Sequence, residues 1–278
     1  MRPVFVIAGD LLREAAARRW FLGLFAGITL VVLVFGFALR MDVVDGALAA
    51  TRLFGRPMHT DIRTAESVMS SVFLALAYLV FYGGLAFGVV ACTDFAPELL
   101  APGRIEHLLS LPVRRWQLLL GTYLGVLGLA VVGSLYGSGA FTLLLSVKSG
   151  VWTARPIVAG LLAAATFGAV YAAMLAAAVF VRSAALSAAV GAVIVIFGII
   201  AGEREDLAPL FEEGVSRAAF LAATAPAPRI SQLASHAADF AASRPVALAV
   251  MLKALVGLGM FAGGCVVVGM WKFERKDF

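Results

Sequence analysis

The chain has 278 residues, of which 62% are hydrophobic and only 14% charged, and its mean hydropathy is +0.98. A soluble domain carries about 25% charged residues, so composition excludes a soluble enzyme or binding module and defines an integral membrane protein. The net charge of +5 does not make it a nucleic-acid binder, because Lys and Arg stand at the ends of apolar runs and not on one polar module.

In chain order, residues 1–19 come first as an amphipathic segment. Val4, Ile7, Ala8, Leu11, Leu12 and Ala15 share one face at helical spacing, with Arg2, Asp10 and Arg13 on the other. This predicts a helix in the plane of the membrane interface, feeding the first span through an elbow at Arg18 and Arg19. The alternative is a solvated tail. The first long apolar run begins only near Trp20 and lacks a small-residue cleavage pattern, so it reads as a span and not as a secretory signal.

Six runs are long enough to cross about 30 Å of hydrocarbon as helix: 20–39, 69–91, 118–146, 156–181, 184–201 and 245–270. Arg182 and Ser183 alone separate the fourth from the fifth, which predicts a tight helical hairpin. Pro156 and Pro245 fall in expected first turns, and Ser243 is the expected cap of the last helix. Residues 40–68 form a polar connection of mixed charge with an irregular tip at Gly55-Arg56-Pro57. Residues 202–244 form a longer connection with two short amphipathic stretches around Ala225-Pro226-Ala227-Pro228. The second stretch carries Ile230, Leu233, Ala234, Ala237 and Phe240. Both stretches are too short to span, so they are expected to lie at the interface or to re-enter. The expected architecture is therefore one all-α membrane domain, 1–278.

Six spans place both termini on one side. Charge bias barely orients them: eleven Lys and Arg fall on the side of the termini, ten on the other, and Lys253 lies within a span. Lys253 reads either as facing a substrate path or as snorkelling to the interface. Cys92 and Cys265 imply no disulfide framework, and His59, His107 and His236 are too scattered for a shared metal site. No Gly-x-x-x-x-Gly-Lys-Ser/Thr loop occurs, so ATP binding of the P-loop kind is not expected in this chain. Glycines recur four residues apart at 84 and 88, 121 and 125, 133 and 137, and 259 and 263, a spacing compatible with close helix packing and with a homodimer.

The stretch from Glu98 to Gly121, ELLAPGRIEHLLSLPVRRWQLLLG, is a polar, helix-patterned insert between the second and third spans, within a segment covering 92–117. Its order of Glu98, Gly103, Ile105-Glu106, Leu108-Leu109, Pro112-Val113 and Arg115 resembles the cytoplasmic segment of ABC-2 type transporter permeases. There a glutamate precedes a Gly-Thr-Leu-Glu-x-Leu-Leu-x-x-Pro-Val-Ser-Arg run. Arg104, Arg114 and Thr122 depart from the usual Thr, Ser and Lys. The basic ending Phe273 to Phe278 is also similar to that family's tail.

The resemblance implies a coupling helix stopped by Pro112, with Glu98, Arg104, Glu106, Arg114 and Arg115 against a separate ABC ATPase that binds the ATP and Mg. This chain then holds no cofactor, metal or catalytic residue of its own. It further implies a bacterial or archaeal inner membrane with both termini cytoplasmic, a second permease copy or a paralogue as partner, and an exporter working by alternating access. Its path would be lined from the second and fifth spans by residues such as Tyr78, Tyr82, Phe87 and Phe197, with Lys253 a further candidate. Two other readings compete. Glu212-Glu213-x-x-x-Arg217 resembles the paired glutamates of CAAX-type intramembrane proteases, although no span carries the histidines those enzymes need. A structural or sensory protein could also use the insert to hold a cytoplasmic partner.

Overall fold

The computed structural model describes residues 2–17, 19–44, 47–53, 56–59, 63–110 and 112–276. An amphipathic helix α1 (Arg2–Ala17) leads into α2 (Arg19–Ala38). Four short strands follow: β1 (Leu39–Val44), β2 (Ala47–Leu53), β3 (Arg56–His59) and β4 (Arg63–Thr64). Helix α3 (Ala65–Ala91) is followed by two short helices, α4 (Phe95–Leu99) and α5 (Arg104–Ser110). Helices α6 (Arg115–Ser149), α7 (Arg155–Val181) and α8 (Ala184–Gly202) come next. After α9 (Arg204–Leu207), a 3-10 turn, α10 (Val215–Thr224) and α11 (Ile230–Ala241), the chain ends on α12 (Leu248–Glu274). Among the described residues six helices, α2, α3, α6, α7, α8 and α12, are long and apolar enough to cross a membrane. This is a multi-pass membrane fold with the number of spans expected from the sequence.

Helix α7 is the axis of the bundle. Its most apolar stretch is 72% buried, against 0% for that of α2, and it packs on α3, α6, α8, α11 and α12. Small residues permit this: Ala163, Ala164, Ala169, Ala172 and Ala178 are all buried along it. Five hydroxyl groups inside the spans are satisfied within their own helices. Thr122, Ser138, Thr142, Ser149 and Thr166 each donate to the carbonyl four residues earlier, as polar groups in an apolar medium require.

The hairpin at Arg182 and Ser183 forms as expected. Arg182 closes α7 in a left-handed conformation (φ 54°), and the Ser183 hydroxyl accepts the Leu186 N–H to cap α8. Pro156 sits in the first turn of α7. The start of α12 differs from expectation. Ser243 does not cap it and Pro245 is not in it: the Ser243 N–H donates to Phe240 O and the Arg244 N–H to Asp239 O, so these residues terminate α11. Helix α12 begins three residues later than expected, at Leu248.

Within a chain that is otherwise helical, as expected, the connection after α2 carries short strands. Strands β1 and β2 pair antiparallel from Leu39↔Leu53 to Val44↔Ala47, and β3 and β4 add to β2. The overlooked signal is Asp45-Gly46 between two short runs, the dipeptide that favours two-residue hairpins; both residues, like Gly55 of the expected tip, lie outside the described residues.

Helix α1 buries Val4, Ala8, Leu11 and Ala15, the stripe legible in its sequence, but against α6. A Cβ at Gly121 would meet Ile7 at 2.7 Å, and one at Gly125 would meet Leu11 at 3.1 Å. One of the predicted glycine pairs therefore seats the chain's own first helix. Helix α11 is the other surprise. Ile230, Leu233, Ala234, Ala237, Ala238 and Ala241 are all 0% exposed, and it packs among α7, α3 and α8. At 12 residues it is about 18 Å long, too short to cross.

Candidate functional site

The insert is two helices and not one. Helix α4, carrying Glu98, is separated from α5 by a turn through Gly103, whose φ of +81° favours glycine. Helix α5 ends at Ser110, two residues before Pro112, as a proline stop demands. Arg114 then opens α6, its N–H donating to the Gln117 side-chain carbonyl. Phe95, Ala96, Leu100 and Ile105 are buried and anchor the insert to the core.

The five charged residues expected to face a partner have different surroundings. Arg104 turns inward along the surface: its guanidinium donates to both carboxylate oxygens of Glu14 on α1, at 2.7 and 3.3 Å, and lies 3.9 Å from Glu98. Arg115 is committed to the end of the last span, where Nη1 donates to the carbonyls of Phe273 (3.5 Å), Glu274 (3.2 Å) and Lys276 (2.6 Å). A cation there satisfies terminal carbonyls and opposes the helix dipole. Glu106 and Arg114 are exposed, together with His107. They form the outward-facing part of the predicted set. Glu14 was not singled out from the sequence, although it and Asp10 are the only acids in α1.

The same end of the bundle gathers further ties. Lys276 Nζ donates to Val179 O (2.6 Å) and Phe180 O (3.5 Å) at the end of α7. Burial, with the charges of Arg182 and Lys272, lowers the Lys276 pKa from its ordinary value. Thr93 donates to Ala184 O at the start of α8. The insert, α1 and the end of α12 thus share one side of the bundle, as six crossings require. Arg115→Ala should lower stability by about 1–2 kcal/mol, since it strips charged donors from three carbonyls. Arg114→Ala should change it by less than ~0.5 kcal/mol, as expected for an exposed side chain. Thermal unfolding of the two variants in detergent checks the contrast.

The residues expected along a path do not converge within one chain. Tyr78 and Tyr82 stack one turn apart on α3 (6.2 Å, 3°) and pack against the core. Phe87 lies on the opposite side of α3 and lines a cavity with Phe21 and Leu24. Phe197 is partly exposed on α8. Lys253 is exposed, and because α12 starts at Leu248 it lies about 8 Å from that end by helical rise, closer than expected and within reach of the interface by snorkelling.

That cavity holds about 280 Å³ between α2, α3, α6 and α7, and of its lining only Ser134 and Cys92 carry a side-chain heteroatom. It is open on one side, and its apolar walls offer water no partners.

On the other side of the bundle, Glu212 and Glu213 lie exposed before α10, and Glu213 pairs with Arg217 at 3.8 Å one turn on. Among the described residues no three His, Cys, Asp or Glu are grouped to hold a metal ion. Both cysteines are free thiols. No protein-family model matches the chain, and no curated protein matches it in sequence.

Proposed function

We propose that the chain is the membrane-spanning subunit of an ATP-driven transporter of the ABC-2 type, an exporter, working with a separate ATPase and a second permease copy in a bacterial or archaeal cell membrane. The observation that carries this reading is the insert. It presents Glu106, His107 and Arg114 outward while buried Phe95, Leu100 and Ile105 fasten it to the bundle. A segment with a charged outer face and an apolar root can be gripped by a soluble protein and pass force into the third span. In this reading α5 is the coupling helix, Pro112 sets the angle at which α6 begins, and α1 is the interfacial elbow. The side bearing the insert and both ends of the chain faces the cytoplasm. ATP and Mg belong to the partner, whose closure biases two arrangements of paired permeases. The paired-glutamate protease reading loses ground, since Glu213 is 94% exposed and ion-paired to Arg217.

The test is co-expression with an ABC ATPase from the same genome, taking first any whose gene adjoins this chain's. The expected result is a stable complex that survives purification, with ATP turnover altered by the permease. Separate migration of the two proteins, with turnover indifferent to this chain, would sink the proposal.

A further inference from the structure

Helix α2 stands apart from the bundle. None of its most apolar stretch, Phe21–Ala38, is buried. Its single polar side chain within that stretch, Thr29, meets the Tyr136 hydroxyl of α6 at 2.6 Å, and Phe25 packs edge-on against the same ring at 4.9 Å. Behind α2 lies the 280 Å³ cavity, which continues into an open groove lined by Gly23, Gly27, Val31 and Phe141. The cavity lining runs from Leu79 on α3 to Cys92, the residue that caps it, about 20 Å along the helix axis at 1.5 Å per residue.

The shape selects the occupant. The space is a slot parallel to the spans, about two-thirds as long as a hydrocarbon core some 30 Å thick, a length that suits one extended acyl chain. It opens sideways between α2 and α3, where the surroundings are acyl chains. Water is excluded by its apolar walls. A side chain from a neighbouring protein would enter across the slot and fill only a short part of it. We infer that this slot is a binding site for one acyl chain of a membrane lipid, held between α2 and the α3–α6 face. Tyr136 and Thr29 hold α2 in place over it. The floor is made by glycines: a Cβ at Gly84 or Gly133 would meet nothing within 4 Å, whereas one at Gly88 would strike Phe167 at 2.6 Å. Gly84 and Gly133 are therefore positions where added side chains fill the slot without forcing the helices apart. The site stands independently of the transport reading, because lipid occupancy is measured on this chain alone.

The experiment uses the full chain in nanodiscs containing a phosphatidylethanolamine with a diazirine in its acyl chain. After photolysis, peptides bearing Leu24, Phe87 and Gly133 should be labelled well above the lipid-facing α12 peptide with Val256 and Met260. Gly84→Leu and Gly133→Leu, made separately, should each cut that excess about tenfold, while Gly259→Leu, at an open position on α12, leaves it unchanged. Labelling of the slot no higher than that of α12 in the unmodified chain would overturn the inference. So would retention of the excess in both filled variants, or crosslinking of Leu24→Cys to a second chain in place of lipid labelling.

Discussion

Replacing Gly198 with leucine should unseat α11 and cost about 3 kcal/mol or more, the upper range for overpacking. A Cβ at that position would lie 2.6 Å from Ile230 and 2.8 Å from the Pro228 carbonyl oxygen. A side-chain clash alone could relax by a rotamer change, but backbone cannot give way without moving the whole helix. One turn further on, a Cβ at Gly202 would collide with Ser231, whose hydroxyl donates to Ile199 O at 3.0 Å. The junction of α8 and α11 is thus made of backbone on backbone. In thermal unfolding the apparent Tm should fall by roughly 6–12 °C, taking 2–4 °C per kcal/mol for a chain of this class. Gly259→Leu is the control: its Cβ meets nothing within 4 Å, and the Tm should hold. Equal melting of the two variants would show that α11 is not packed as described.

Reversing Glu106→Arg together with Arg114→Glu should weaken binding of the proposed ATPase partner at least tenfold, about 1.4 kcal/mol, with the Tm of the isolated chain unchanged. Both side chains are exposed, so their loss leaves no buried charge behind, while charges meeting a complementary partner govern encounter and register. The choice of residues matters. Arg115→Glu would also impair binding, but by releasing the carbonyls of Phe273, Glu274 and Lys276, and would lower stability with it. Arg104→Glu would repel Glu14 and Glu98. Pull-down of the ATPase, read beside thermal unfolding, separates contact from scaffold. Full binding by the double reversal would remove Glu106 and Arg114 from the interface.

The spans were the most legible part of the chain, because an apolar run of the right length has few alternatives in a membrane. Helix boundaries set by local chemistry were legible too, as at Arg182 and Ser183 or at Pro156. A local signal misleads where it serves another element. Ser243 resembles a helix start, yet it ends α11, since its N–H is taken by Phe240 O. Within the insert, the charge pattern identified an outward face without separating its members. Arg104 and Arg115 look equivalent to Arg114 in sequence, but their partners, Glu14 and the 273–276 carbonyls, are about 90 and 160 residues away. Glycine spacing showed that helices approach closely without showing whose. Gly121 and Gly125 receive α1 of the same chain, whereas Gly259 and Gly263 face open space. The slot behind α2 has no linear signature at all, because four helices contribute to it.

Helix α11 also bears on how many copies a working unit needs. Its six fully enclosed residues and the alanines of α7 fill the middle of the bundle, so a lone copy is plugged along its own axis. In the proposed transporter, cargo must therefore travel on the outside of the chain, at a seam with a neighbour. Activity per chain should then fall as copies are diluted among vesicles, instead of staying constant as it would for a self-contained pore.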